Sequence, residues 1–115
     1  MSVEKFPATY IMASRYRGTM YTGVTSNLWQ RVCDHKNGRF KGFTDDYNIK
    51  TLVWNEHHHM MEDAIRREKQ IKKWNRPWKF RIIEEMNKDW LDLHECIDPI
   101  TTLVQKKAGP PPARG

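Results

Sequence analysis

Residues 8–25 read ATYIMASRYRGTMYTGVT, and their pattern predicts how the folded chain begins. Two short apolar runs, 8–14 and 20–25, have the composition of β-strands. They flank the polar link 15–19, which contains one glycine. A short glycine-containing link between two such runs is typical of a β-hairpin, so we expect two antiparallel strands here.

The register of this hairpin determines which side chains share a face of the sheet. If Ser14 pairs with Thr19, then Tyr10 lies opposite Gly23, and Tyr21 is a diagonal neighbour of Tyr10 on the same face. A slip of one residue would put the two tyrosines on opposite faces, so their proximity is conditional on this register.

A helix is predicted directly after the hairpin. Ser26 or Asn27 can cap its first turn, because short polar side chains accept hydrogen bonds from free backbone N–H groups. Gly38 is placed to end it. Arg31 and His35 are four residues apart beside the apolar stripe, so they are neighbours on one side of the helix.

A third strand is predicted at 51–54, followed by the clearest helix of the chain, from about Met60 to Asn75. Apolar residues recur in this helix at a helical period: Met61, Ala64, Ile65 and Ile71. Glu68 falls inside that apolar stripe. A carboxylate in such a position is costly unless a positive group meets it, so Glu68 is a candidate functional residue.

The segment after the long helix is harder to interpret. Pro77 stops or restarts the helix. Residues 78–86 fit either a strand or a short helix, with the helix favoured, and residues 87–93 are typical of a short capped helical turn.

Length and composition indicate one globular domain. The chain has 115 residues, of which 38% are hydrophobic, and five tryptophans. We assign residues 1–95 to the domain and 96–115 to a C-terminal extension whose Pro/Gly-rich tail, from about 106, is disordered by composition. No run approaches the ~20 apolar residues of a membrane span, and no signal peptide is visible. Two isolated cysteines fit a reducing compartment, so we expect a cytoplasmic protein.

The positive charge is concentrated rather than spread evenly. The formal net charge is +6, and residues 64–81 hold eight basic residues against Glu68 alone. Such a block, interleaved with Trp74 and Trp78, suits a phosphate backbone with bases to pack against. The alternative is a solvated helix face above a Trp-rich underside.

Several short motifs occur in a fixed order. They are Tyr10-Ile11-Met12, Tyr21-Thr22-Gly23, Asn27-Leu28-x-x-Arg31-x-x-x-His35, Gly42-Phe43-Thr44, Leu52-Val53-Trp54, Ala64-Ile65-x-x-Glu68-Lys69-Gln70-Ile71-Lys72-Lys73-Trp74 and Asn87-x-x-Trp90-x-x-Leu93. In this order and at these spacings they resemble the GIY-YIG nuclease superfamily, in its small standalone bacterial (excinuclease-like) branch. The resemblance covers about residues 8–93.

The resemblance implies an α/β (α+β) fold, a small three-stranded antiparallel sheet flanked by helices. It also implies a metal-dependent endonuclease that hydrolyses phosphodiester bonds in DNA with one divalent ion, Mg²⁺ or Mn²⁺. Tyr21 would be the general base or its relay, and Tyr10 would position water and phosphate. Arg31 would steady the phosphate, and His35 matches a position that the family fills with His or Tyr. Glu68 would bind the metal.

The same resemblance leaves other residues and roles open. Asn75 and Asn87 are both candidates for an asparagine that many relatives carry after the metal glutamate. The candidate nucleic-acid contacts are Arg66, Arg67, Lys69, Lys72, Lys73 and Arg76. A DNA- or RNA-binding module that kept the fold without turnover is the main alternative, and a protein-interaction domain with an acidic partner is a third. The short chain also leaves a partner protein or a homodimer open.

Overall fold

The computed structural model describes residues 6–39 and 47–97. The Gly42-Phe43-Thr44 motif and the chain from residue 98 onward, which includes the predicted disordered tail, lie outside the described residues. The strands are β1 (Ala8–Ala13), β2 (Met20–Thr25) and β3 (Thr51–His57). The helices are α1 (Leu28–Lys36), α2 (Met61–Lys72) and α3 (Arg76–Met86), followed by a 3₁₀ turn at Leu93–Cys96.

The three strands form one antiparallel sheet in the order β2-β1-β3, which confirms the predicted α+β fold. The hairpin has the register on which the proximity of the two tyrosines was conditional. The backbone N–H of Ser14 donates to the carbonyl of Thr19 at 2.9 Å, and Tyr10 lies opposite Gly23. The two tyrosines therefore share a face of the sheet.

Strand β1 is central and buried on both faces, so its alternate residues enter two separate hydrophobic clusters. Tyr10 and Met12 face α1. Ile11 and Ala13 face α2 and α3. Because successive side chains of a strand point to opposite faces, this one strand joins the two layers of the domain.

Strand β3 is longer than the predicted 51–54 and carries an irregularity opposite β1. Ile11 pairs with Trp54, whereas Met12 pairs with Leu52, so one residue of β3 is skipped. As a result the consecutive residues Val53 and Trp54 both join the cluster beneath α2 and α3.

The predicted helix 60–75 is shorter than expected, because it ends at Lys72. Asn75 instead caps α3: its Oδ1 accepts a hydrogen bond from the backbone N–H of Trp78 at 3.1 Å. Pro77 lies in the first turn of α3, where a missing N–H costs nothing, so it restarts the helix. The favoured helical assignment of 78–86 is confirmed.

Two expectations for this half of the chain are wrong. Ile65 is 37% exposed rather than part of the core, because only one narrow side of α2 meets the sheet. The turn predicted at 87–93 forms later, at Leu93–Cys96. Asn87 closes α3, and Trp90 has a φ of +57°, which interrupts any helix there.

No helix in the described part of the chain is long and apolar enough to cross a membrane.

Candidate active site

The site is built around Tyr10, whose ring lies across Gly23 of the neighbouring strand. Tyr10 is fully buried. A Cβ added at position 23 would lie 2.5 Å from the Tyr10 hydroxyl oxygen and 2.6 Å from its Cζ. Both distances are far shorter than any normal contact, so the ring takes this position only because residue 23 has no side chain.

Tyr21 and His35 complete an aromatic cluster with Tyr10. The Tyr10 hydroxyl is hydrogen-bonded to His35 Nε2 at 3.0 Å. The Tyr21 ring centroid lies 6.3 Å from that of Tyr10 and 5.4 Å from that of His35. The hairpin register and the position of His35 on α1 thus bring these three side chains together.

Helix α1 places His35 and Arg31 beside Tyr10, and its N-terminal cap fixes the residue at which the helix begins. Asn27 caps it, and its Oδ1 accepts from the backbone N–H of Gln30 at 3.2 Å. The helix ends at Lys36, shortly before Gly38, as predicted. Arg31 lies one turn before His35 and hydrogen-bonds the Tyr10 phenol.

Burial sets the protonation states in the cluster. Burial raises the pKa of Tyr10 well above its usual range, and the neighbouring Tyr21 adds to the rise, while the charge and hydrogen bond of Arg31 oppose it. Burial also lowers the pKa of His35 to about 4, helped by the positive charges of Arg31 and Lys50. At neutral pH Tyr10 is therefore a phenol and His35 an uncharged imidazole.

Lys50 is a site neighbour that sequence reasoning missed. Its Nζ donates to the backbone carbonyl of His35 at 3.3 Å. Its own carbonyl accepts from Lys36 Nζ at 2.9 Å, which ties the start of β3 to the end of α1. No local sequence signal could have found it, because Lys50 and His35 are 15 residues apart in the chain.

Glu68 comes to the site from α2. Its side chain is only 13% exposed and is paired with Lys72 Nζ at 2.6 Å, which supplies the positive partner expected for a carboxylate in the apolar stripe. Its negative charge contributes to the raised pKa of Tyr10, so the carboxylate lies within electrostatic range of that phenol.

The donor set at Glu68 fits a metal held mainly by water and substrate. Among residues 6–39 and 47–97, no three His, Cys, Asp or Glu side chains are grouped to hold a metal. Mg²⁺ is usually held by one or two carboxylates together with waters and substrate phosphates, rather than by an all-protein cage. Glu68 provides one such carboxylate, and the half-exposed Lys72 side chain can move away from it.

The candidate nucleic-acid contacts differ in how many partners they have within the protein. Arg67 has the most. Arg67 Nε donates to Glu56 at 3.0 Å, and its Nη1 donates to Gln70 at 2.6 Å. Its guanidinium also lies over the rings of Trp54 and Trp74, at 5.9 and 5.4 Å from their centroids. These contacts hold α2 against β3.

The remaining members of that set are all exposed, and three of them also have polar partners within the protein. Arg66 pairs with Asp63 at 2.9 Å. Arg76 Nη2 donates to the backbone carbonyl of Arg17 at 3.0 Å. The exposed lysines are Lys69, Lys72 and Lys73.

The two candidate asparagines both hold backbone groups. Asn75 caps α3, as described above. Asn87 is buried, and its Nδ2 donates to the carbonyls of Val53 at 3.1 Å and Leu91 at 2.7 Å. These bonds give the Asn75 side-chain oxygen and the Asn87 amide structural partners within the fold.

A hairpin with two tyrosines, a helix with Arg and His, and a glutamate on the next helix define a nuclease-like α+β domain. Residues 6–81 match the family model described as the GIY-YIG catalytic domain, and the chain belongs to the GIY-YIG family. The resemblance noted from the motifs is therefore confirmed.

The curated relatives are small bacterial proteins. A UPF0213 protein of Staphylococcus haemolyticus is 34% identical over 67 residues, which cover 58% of this chain and 82% of the relative. A UPF0213 protein of Staphylococcus epidermidis is 32% identical over 68 residues, which cover 59% and 83%. The shared domain thus makes up most of each relative, as in the standalone branch. No solved structure gives a significant match.

Proposed function

We propose that this protein is a metal-dependent endonuclease that hydrolyses phosphodiester bonds in DNA. The observation that carries the proposal is the cluster of Tyr10, Tyr21 and His35 beside Arg31, in a chain that matches the GIY-YIG catalytic domain. Hydrolysis of a phosphodiester needs an activated water, charge stabilisation on the phosphate and help for the leaving oxygen. The cluster contains residue types suited to the first two needs.

The two tyrosines have different roles in this proposal. Tyr10 keeps its proton, because burial raises its pKa, and since it is fully buried it would position water and phosphate indirectly, through its hydrogen bonds to His35 and Arg31. Tyr21 is only partly buried and lies at the open side of the pair. We therefore assign Tyr21 as the general base or its relay: as a phenolate it would accept the proton of the attacking water, and as a phenol it would take that proton while releasing its own to solvent.

Arg31 is assigned to the scissile phosphate. Its charge acts on both Tyr10 and His35, so it lies close to both residues. A guanidinium presents two parallel N–H groups that match two phosphate oxygens. The uncharged His35 holds the Tyr10 hydroxyl and fixes the position of the ring.

Glu68 is assigned as the protein ligand of one divalent ion, Mg²⁺ or Mn²⁺. When bound, such an ion neutralises charge on the phosphate and stabilises the leaving oxygen. Lys72, which pairs with Glu68 and is half exposed, would be placed to contact a neighbouring phosphate.

The Lys72–Glu68 pair also favours the second candidate function, a nucleic-acid-binding module without turnover. A carboxylate already neutralised at 2.6 Å is a weaker metal ligand. In that case the basic residues of α2 and of the start of α3 would bind DNA or RNA, and the tyrosine cluster would only stabilise the fold.

A cleavage assay separates the two functions. Labelled single-stranded, duplex, flap and branched DNA are incubated with Mg²⁺, Mn²⁺ or a chelator, and the wild type is compared with Glu68→Gln. Glu62→Gln is the matched control, because Glu62 is an exposed carboxylate on the same helix. We expect metal-dependent cleavage by the wild type and by the control, and a loss of at least ~100-fold in Glu68→Gln with DNA binding retained.

Other outcomes count against specific parts of the proposal. Full cleavage by Glu68→Gln would remove the assigned role of Glu68. Binding without cleavage on every DNA and with both metals would support the non-catalytic module. Binding that does not weaken as salt is raised would argue against any phosphate-backbone contact.

A further inference from the structure

Trp78 is a large aromatic side chain left open to solvent. It lies in the first turn of α3 and is 52% exposed. Trp74, in the link between α2 and α3, lies beside it with a ring-centroid distance of 6.3 Å and an interplanar angle of 49°. We call these two residues the tryptophan corner. The tilt leaves the Trp78 ring incompletely covered by its neighbour.

Two guanidinium groups, each also paired with a carboxylate, flank the tryptophan corner. The Arg81 guanidinium lies 5.5 Å from the centroid of the Trp78 ring, and that of Arg67 lies 5.4 Å from the centroid of Trp74. Lys73 is exposed next to Trp74 in the chain. An aromatic surface ringed by cations disfavours basic and purely apolar partners. It is complementary to a chain that alternates flat rings with phosphates.

A group of cations connects this corner to Glu68. Lys79, the residue after Trp78, is partly buried and lies one turn after Arg76 on α3. Burial and the charges of Arg76 and Lys72 lower its pKa. Lys72 in turn pairs with Glu68. Three cations near one another repel, and a polyanion laid across them would relieve that repulsion.

We propose that the tryptophan corner binds single-stranded DNA by stacking an unpaired base on Trp78, with the neighbouring phosphates lying on Lys79, Arg76 and Lys72 toward Glu68. In a duplex the base faces are covered by their neighbours, whereas an unpaired base offers a free face to an aromatic side chain. This inference rests on the proposed function and narrows its substrate to DNA with a single-stranded segment beside the cleaved bond.

Binding is measured by fluorescence anisotropy in the presence of a chelator, so that no cleavage is required. The probes are a labelled 12-nucleotide oligothymidylate and a 12-base-pair duplex. The variants are Trp78→Leu, which keeps an apolar side chain, and Trp78→Phe, which keeps an aromatic ring. Met86→Ala is the matched control, because Met86 is on the same helix and is also 52% exposed.

We expect Trp78→Leu to weaken oligothymidylate binding by about tenfold, the typical value of one base stack. Trp78→Phe should weaken it by less than about threefold, and Met86→Ala should leave it unchanged. Duplex affinity should stay within about twofold for every variant. Unchanged oligothymidylate affinity in Trp78→Leu, or an equal loss on duplex, overturns the inference. So does a loss of self-association in Trp78→Leu with DNA affinity intact, which would assign the corner to a second copy.

A second measurement uses the wild-type protein and does not depend on how the variants fold. An oligonucleotide containing 5-bromouracil is photo-crosslinked to the protein, which is then digested with trypsin. We expect the adduct on the peptide 74–79, at Trp78. Adducts found only on other peptides overturn the inference.

These results are separable from those of the cleavage assay. If no DNA is cut but binding depends on Trp78, the nuclease proposal fails and the stacking site stands. If metal-dependent cleavage is observed and Trp78→Leu has no effect on binding, the stacking site fails and the nuclease proposal stands.

Discussion

At the scale of single residues, Tyr10 and Gly23 act as one unit. Gly23 has no side chain and so leaves space for the Tyr10 ring. The hydroxyl of Tyr10 is hydrogen-bonded to His35 at 3.0 Å. This explains in physical terms why a tyrosine on β1 and a glycine on β2 occur together. The burial that follows keeps both Tyr10 and His35 uncharged at neutral pH.

Gly23→Ala is therefore expected to destabilise the fold. Its Cβ would meet the buried Tyr10 ring, which has no room to move, and overpacking of this kind costs about 1–3 kcal/mol. Urea unfolding at pH 7 measures the loss in the free energy of unfolding.

A double-mutant cycle with Tyr10→Leu provides the control for this prediction. Leucine lacks the hydroxyl and Cζ that the new Cβ would meet, so Gly23→Ala should cost clearly less in that background. Equal costs in the two backgrounds would show that the Tyr10 ring is not the cause.

At the scale of secondary-structure elements, the break between α2 and α3 determines which side chains face solvent. The apolar period predicts one helix through residue 75, but Asn75 takes an extended backbone conformation and caps a new helix. The change of direction at this residue leaves Trp78 exposed beside Trp74.

Asn75→Ala should lower the free energy of unfolding by about 1 kcal/mol, because the backbone N–H of Trp78 loses its acceptor. Asn75→Asp keeps an acceptor oxygen and should behave like the wild type. Both variants should cleave DNA normally at temperatures where they are folded. A large loss of cleavage in Asn75→Ala with unchanged stability would instead indicate an active-site role for this residue.

At the scale of the whole molecule, Glu84 ties distant parts of the chain together. It accepts two hydrogen bonds from Arg17 of the hairpin turn, both of 2.8 Å, and a third from Trp90 Nε1 at 2.7 Å. Arg76 of α3 reaches the same turn through the carbonyl of Arg17. These hydrogen bonds connect the turn between β1 and β2 to α3.

Glu84→Gln should lower the thermal unfolding midpoint at pH 7 by a few degrees, because the charged pair with Arg17 is lost. The hydrogen bonds from Arg17 hold the pKa of Glu84 at about 2, below its ordinary value. The stabilisation is therefore fully present above the unfolded pKa and is lost as the pH falls toward 2. The difference between wild type and variant should be constant above pH ~5 and shrink below it.

Glu85→Gln is the matched control for this measurement. Glu85 is the neighbouring carboxylate, and its partner Arg81 lies 3.8 Å away with both side chains exposed. Its replacement should shift the midpoint little at any pH. A shift as large as that of Glu84→Gln would mean that net charge, not the contact with Arg17, causes the effect.

Although the register of the hairpin stayed conditional, the sequence alone determined the hairpin itself, the spacing of Arg31 and His35 on α1, and the family. These features depend on contacts between residues close in the chain and on the two- and 3.6-residue periods of strand and helix, so they can be read locally. Only the tertiary structure decided the exposure of Ile65 and Trp78, the approach of Lys50 to His35, and the uncharged states of Tyr10 and His35. Burial and the charges around a group come from segments far apart in the chain, and no local pattern specifies them.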